Sequence, residues 1–261
     1  MVPSWTPDPP ADDAGPTPDQ PPQQPVPPAT PPAVPVAPSG RFGDARRSLG
    51  SYAHGGNRDD LRRSLGHYVR TGYGGARTAT RRLGGTAATA AALGTALAAL
   101  AGGGAGGAAP GLDPASLVGR SADDVLAAVV DAVRPIDGTL DAEASRASIR
   151  DALSELLTRF PEADLLNLSD VERAFAIERY AAADVFRRFQ LDLGKTISDR
   201  APSIGAALAR LKEARDYIKE VVGASFRKLR DAGRTLTAGQ IAIVVRDAVA
   251  DTFQVFEGYA E

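Results

Sequence analysis

Fifteen of the chain's 20 prolines fall within residues 1–40, and this crowding decides what the first part of the molecule can fold into. A proline has no backbone N–H to donate and a fixed φ, so a run such as Pro21–Pro38 can sustain neither helix nor sheet. With few aromatics and no aliphatic periodicity, residues 1–40 cannot bury enough surface to offset their ordering entropy. The reading is a disordered, Pro-rich acidic tail carrying four Asp and no Lys or Arg.

Residues 40–111 hold eighteen of the 27 glycines, so this stretch also reads as poorly foldable. Within it, residues 41–85 carry ten Arg against three Asp. They also repeat a motif: Arg46-Arg47-Ser48-Leu49-Gly50-Ser51-Tyr52 returns as Arg62-Arg63-Ser64-Leu65-Gly66-His67-Tyr68, and a degraded copy follows at Arg81-Arg82-Leu83-Gly84. Arginine and tyrosine among flexible glycines can pair with phosphates and stack on bases. Arg46, Arg47, Tyr52, Arg62, Arg63, Tyr68 and Tyr73 therefore form a candidate interaction arm. Residues 86–111 read as an Ala-rich helix, with Leu93, Leu97 and Leu100 on one stripe, followed by a Gly-rich hinge. The uncharged run Leu83–Leu112 lacks the leucine density of a membrane span, so no membrane partner is expected.

From residue 112 to 261 the helical signals are consistent. Ser121 opens a helix with Val125, Val129, Val130 and Val133 inward, and Pro135 ends it. A second helix spans about 141–160, with Ile149, Leu153, Leu156, Leu157 and Phe160 on its core face. Ser169 and Glu172 form a capping box for a third, reaching about Ser198 and burying Phe175, Tyr180, Val185, Phe186 and Phe189. Ser203 starts a fourth, to Asp231, with Leu208, Leu211, Ile218, Val222, Phe226 and Leu229 inward. Thr237 and Gln240 cap a last helix carrying Ile241, Val244, Val245, Val249 and Phe256. The expected fold is all-α: a C-terminal bundle of about five helices, preceded by a long disordered N-terminal region.

Chemistry-bearing motifs are scarce. There is no cysteine, and His54 and His67, the two histidines, both lie before the bundle. The bundle thus lacks a base to activate a serine and the Glu-x-x-His pattern of di-metal bundles. Gly194-Lys195-Thr196 lacks the earlier glycine of a phosphate-binding loop. The expectation is a non-enzymatic protein with no catalytic, metal or cofactor site. Absent cysteine suits a reducing cytoplasm, the expected location. The basic side chains of the fourth helix sit among acids, the usual pattern of a solvated face. Arg215, Tyr217, Lys219 and Arg227 on it are the candidate partner face.

Several segments together carry a family resemblance. They are Val2-Pro3-Ser4-Trp5, the Arg-Arg-Ser-Leu-Gly-x-Tyr pair, Tyr68-Val-Arg-Thr-Gly-Tyr-Gly-Gly75 and Leu117-Val-Gly-Arg-Ser-Ala-Asp-Asp124. Leu153-Ser-Glu-Leu-Leu-Thr-Arg-Phe-Pro161 and Ala214-Arg-Asp-Tyr-Ile-Lys-Glu220 complete the set. The chain resembles the QatB family of the bacterial Qat anti-phage defence system. The resemblance implies three companions: a QatA-type ATPase, the QueC-like QatC and the TatD-like nuclease QatD. It supplies no catalytic residue to carry over. It also implies a Gly/Ser/Thr-rich leader upstream of the Pro-Ser-Trp motif, so either the native start precedes Met1 or this chain lacks that leader. On this reading the helical domain docks partner proteins and the tail is presented to QatC. Nucleic acid, held by the arm, is the alternative partner, and self-association is compatible with the bundle.

Overall fold

Ser121, Thr139, Ser169 and Ser203 each place a side-chain oxygen on an amide of the first helical turn, and a helix starts at each. These starts come from a computed structural model that describes residues 40–102, 111–237 and 239–260. The helices they open are α6 (Ala122–Val133), α7 (Leu140–Arg159), α8 (Asp170–Arg200) and α9 (Ile204–Asp231), close to the predicted spans. The last helix, α10 (Ile241–Gly258), follows with no side-chain cap. Instead of the expected Thr237 cap, the backbone carbonyl of Thr237 receives the amides of Gln240 and Ile241.

The larger departure lies upstream. Residues 43–100 are almost continuously helical: α1 (Gly43–Ala53), α2 (Arg58–His67), a single π-helical turn at Tyr68–Gly72, α3 (Ala76–Arg82) and α4 (Gly84–Leu100). A short α5 (Pro114–Leu117) leads into α6. The all-α class holds, but the fold is about ten helices over 43–258, not five at the C-terminal end. The described part of the arm is therefore an integral part of the domain, and all described residues belong to one compact unit. The predicted tail and most of the Gly-rich hinge lie outside the described residues.

Helix α8 is the axis of the assembly, packing against α1, α4, α7 and α9. Its 31 residues run with few polar interruptions on the inward side, from Ala176 through Tyr180 and Phe189 to Ile197. Helix α4 is a strut packed against α6, α7, α8 and α10. Its alanines and glycines are what let it fit. A Cβ on Gly94 would stand 2.3 Å from Ile241 Cδ1, so a larger residue there would force that side chain of α10 to shift. Leu93 and Leu97 are fully buried there. One expected core residue is not in the core: Leu208 is 62% exposed, and Ile204, one turn before it, 83%.

Among the described residues, no single helix is long and apolar enough to cross a membrane. Only α3 and α4 together, bent by 49°, reach that length and apolarity.

Candidate functional site

The two Arg-Arg-Ser-Leu-Gly-x-Tyr copies become α1 and α2, which form a hairpin laid on the body of the protein. In each copy the leucine, Leu49 or Leu65, is fully buried. The glycine marks a close approach in the second copy, where a Cβ on Gly66 would lie 2.4 Å from the Ala260 amide nitrogen, whereas one on Gly50 would make an ordinary contact, 3.6 Å from Arg200 Cγ. The tyrosine ends on a carboxylate of the body. Tyr52 donates to Glu213 of α9 at 2.8 Å, and Tyr68 donates to Asp192 of α8 at 2.9 Å. Ser64 closes the hairpin by donating to the Ala45 carbonyl at 2.9 Å. The repeat is thus a docking device used twice.

The π-turn places Tyr73 beside Tyr68, and both hydroxyls donate to the same Asp192 oxygen. Their rings form a cluster with Phe42 and Phe189, each neighbour 5.0 to 5.7 Å away. Arg41 is inserted between the Phe42 and Tyr73 rings, 4.6 and 4.5 Å from their centroids, and donates to the Gly72 carbonyl. Burial raises all three tyrosine hydroxyls above the usual range, Tyr73 to about 12. The Tyr52 hydrogen bond holds the Glu213 carboxyl below its ordinary value.

The residues expected to form one interaction arm are thereby separated. Tyr52 and Tyr68 are buried and offer no ring face to a base. Arg62 donates to the Tyr217 hydroxyl at 3.0 Å and faces the Tyr217 and Tyr259 rings. Arg63 sits beside Asp60, and Arg46 and Arg47 are exposed. The expected partner face divides too. Tyr217, about 200° round the helix from Arg215, points inward and donates to Tyr259 at 2.7 Å. Lys219 pairs with Glu155 of α7, and Arg215 lies 3.5 Å from Asp216. Arg227 stays exposed near Glu178, whose carboxyl is raised by burial and only partly compensated by Arg179, Arg230 and Arg227.

Two clefts flank the hairpin. One, of about 270 Å³, lies between α2 and α9 and is lined by Glu213, Asp216 and Glu220 with Arg58. The other, of about 400 Å³, lies between α1 and the end of α8, where Arg46, Arg47 and Arg200 converge. Sequence pattern does not point to Arg200, since it falls 138 residues beyond Arg62 in the chain with only a helix end to mark it. No group of His, Asp or Glu among the described residues is placed to hold a metal ion.

Residues 74–256 match the family model described as Qat anti-phage system associated protein QatB. The chain belongs to the QatB family. No curated protein and no solved structure matches. The QatB match begins at Gly74, in the turn after the π-helix, and so includes α3 through most of α10. The α1–α2 hairpin lies ahead of it, and its hydrogen-bond partners Asp192, Arg210, Glu213 and Tyr217 lie within the matched segment.

Proposed function

We propose that this chain is a non-enzymatic component of a Qat anti-phage complex. Its helical domain docks partner proteins, and its Pro-rich N-terminal segment is offered to the QueC-like partner. Family membership supports the setting. The observation that carries the docking part is the start of α9. Ile204 and Leu208 stand one turn apart and largely exposed, where the pattern of the helix would otherwise bury Leu208. Two aliphatic side chains at that spacing present a helical anchor to a partner groove. Arg210, two residues beyond Leu208, is engaged by Glu213 on the same helix.

The N-terminal part of the proposal rests on composition. A segment with fifteen prolines in residues 1–40 can enter an active site without unfolding a domain. Co-expression of the tagged operon tests both parts. Ile204→Asp with Leu208→Asp is expected to release the ATPase or another companion from the purified complex while the chain stays folded. Intact-mass comparison, with and without the QueC-like protein, is expected to show a mass increase confined to the N-terminal segment. Retention of every companion by the double variant would overturn the docking site, and an unchanged mass would overturn the presentation role.

A further inference from the structure

The two motif copies carry the same arginine pair, and of the four only Arg62 is taken up by the fold. Arg63 keeps an exposed pair with Asp60 at 3.4 Å, much as Arg47 does with Asp44. In α2, Arg62 is held by Tyr217 and flanked by two tyrosine rings. In α1, Arg46 forms no ion pair among the described residues, and its guanidinium lies over the Phe42 ring, 6.0 Å from the ring centroid. Arg47 has one carboxylate neighbour, Asp44 at 3.1 Å, in an exposed pair that water screens and a ligand displaces at little cost. Arg200, the last residue of α8, likewise forms no ion pair among the described residues, and its stem runs past Gly50. These three guanidiniums line one open cleft with Thr196 and Asp199. Asp199 is the cleft's own acid, and Lys195 holds it at 2.8 Å.

Like charges gathered in a concavity repel one another, and a bound anion relieves that repulsion. Guanidinium forks match the oxygens of a phosphate group, two donors at a time. The cleft, at about 400 Å³, exceeds what a lone carboxylate would fill and suits a phosphate with the sugar attached to it. Arg41, held between the Phe42 and Tyr73 rings, is the next cation round the same aromatic ring and extends the basic surface beyond the cleft. We infer that the cleft between α1 and α8 binds the phosphate group of a nucleotide or of a nucleic-acid strand, through Arg46, Arg47 and Arg200.

Fluorescence anisotropy of the full-length protein with a labelled oligothymidylate, at low and moderate salt, tests this, with a nucleoside triphosphate as competitor. Arg46→Ala with Arg200→Ala is expected to weaken binding about tenfold or more. It should also flatten the salt dependence, by about 0.7 in log–log slope for each phosphate no longer neutralised. Arg150→Ala with Arg246→Ala, which removes the same charge from exposed sites on α7 and α10, is expected to leave binding unchanged. Displacement by the triphosphate assigns the site to free nucleotides, and failure to displace assigns it to the strand. The lysine pair, Arg46→Lys with Arg200→Lys, keeps the charge but not the forks, and carries the test should the alanine pair unfold. Its expected affinity falls between wild type and the alanine pair. Equal weakening in the control pair, unchanged binding in both cleft variants, or no binding of either probe at low salt would overturn the inference.

Discussion

Gly50 and Gly66 occupy the same place in the two motif copies, and the structure separates their roles by little more than an ångström. An added methyl at Gly66 would meet the backbone of Tyr259 and Ala260, at 2.7 and 2.4 Å, and backbone cannot step aside as a side-chain tip can. Gly66→Ala is therefore expected to cost about 1–3 kcal/mol through overpacking. Gly50→Ala meets only the Arg200 stem at an ordinary 3.6 Å, and is expected to be neutral or to stabilise by up to about 1 kcal/mol, because alanine is the better helix former. Urea denaturation of the two variants checks the contrast, and equal effects would contradict it. Burial sets a second expectation at this scale. The Asp184 carboxylate is 1% exposed, accepts from Thr86 at 2.6 Å, and has one oxygen without a partner. Burial raises its pKa, against the opposing pull of Thr86 and Arg188. A raised folded value means its protonated form is favoured by folding, so that contribution is full below the ordinary carboxylate value, about 4, and is lost as pH rises through the folded one. Asp184→Asn is expected to remove that loss: its urea midpoint, relative to wild type, should rise as pH passes from the ordinary carboxylate value through the folded one and level off above it. A constant difference across pH would show that the carboxylate ionises as freely folded as unfolded. Neither role was legible in the sequence, because a glycine's neighbour and a carboxylate's burial are set by residues more than ninety positions away.

At the scale of elements, the sequence was most legible where capping side chains and apolar periodicity agreed. Helices α6 to α9 begin within a residue or two of Ser121, Thr139, Ser169 and Ser203. It was least legible in α1 to α3, where glycines read as flexible include close contact points between elements, Gly66 and Gly72 among them. One local signal there was available. Asn57 with Asp60 makes a reciprocal capping box at the start of α2, an aspartate version of the glutamate pattern. The composition that suggested stacking on bases instead supplied stacking inside the protein, because the tyrosines had carboxylates of α8 and α9 to meet. The thin leucine stripe of α4 is similarly deceptive. Thr86, Ala87, Ala90 and Ala96 beside it are buried too, so the buried face is broader than the leucine stripe, while Ala88, Ala92 and Thr95 stay exposed on the far side. Leu97→Ala is expected to destabilise the whole domain by about 2–5 kcal/mol, the cost of a cavity in a closed core. A calorimetric or urea measurement giving less than about 1 kcal/mol would place α4 at the periphery.

For the molecule as a whole, the decisive matter is which part folds alone. A bundle confined to residues 112–261 would have α6 to α10 but no neighbour for three of their faces. Without α4, α10 loses the cover of Ile241 and α8 that of Ile177, both of which stand against Gly94. Without the hairpin, Phe189 loses the Tyr68 ring at 5.5 Å, and Asp192 loses both of its hydroxyl donors. Removing α3 takes from Glu257 the Ala76 amide it accepts. These surfaces are large and apolar, and a marginally stable domain cannot expose them and remain cooperative. Residues 112–261 are therefore expected to give helical circular dichroism with a broad, shallow urea transition, and to bind hydrophobic dyes. A chain beginning at residue 40 is expected to unfold in one sharp step. A chain beginning at Gly74, where the family match starts, keeps α3 and α4 but bares the acidic seats of Tyr52 and Tyr68. It is expected to fold with a lower midpoint, and to regain the difference when the α1–α2 segment, residues 40–73, is added in trans. Recovery by that peptide, but not by one with both tyrosines changed to alanine, would establish that the repeated motif exists to seat the hairpin. A 112–261 fragment as sharp and as stable as the longer chain would instead make the upstream helices an appendage.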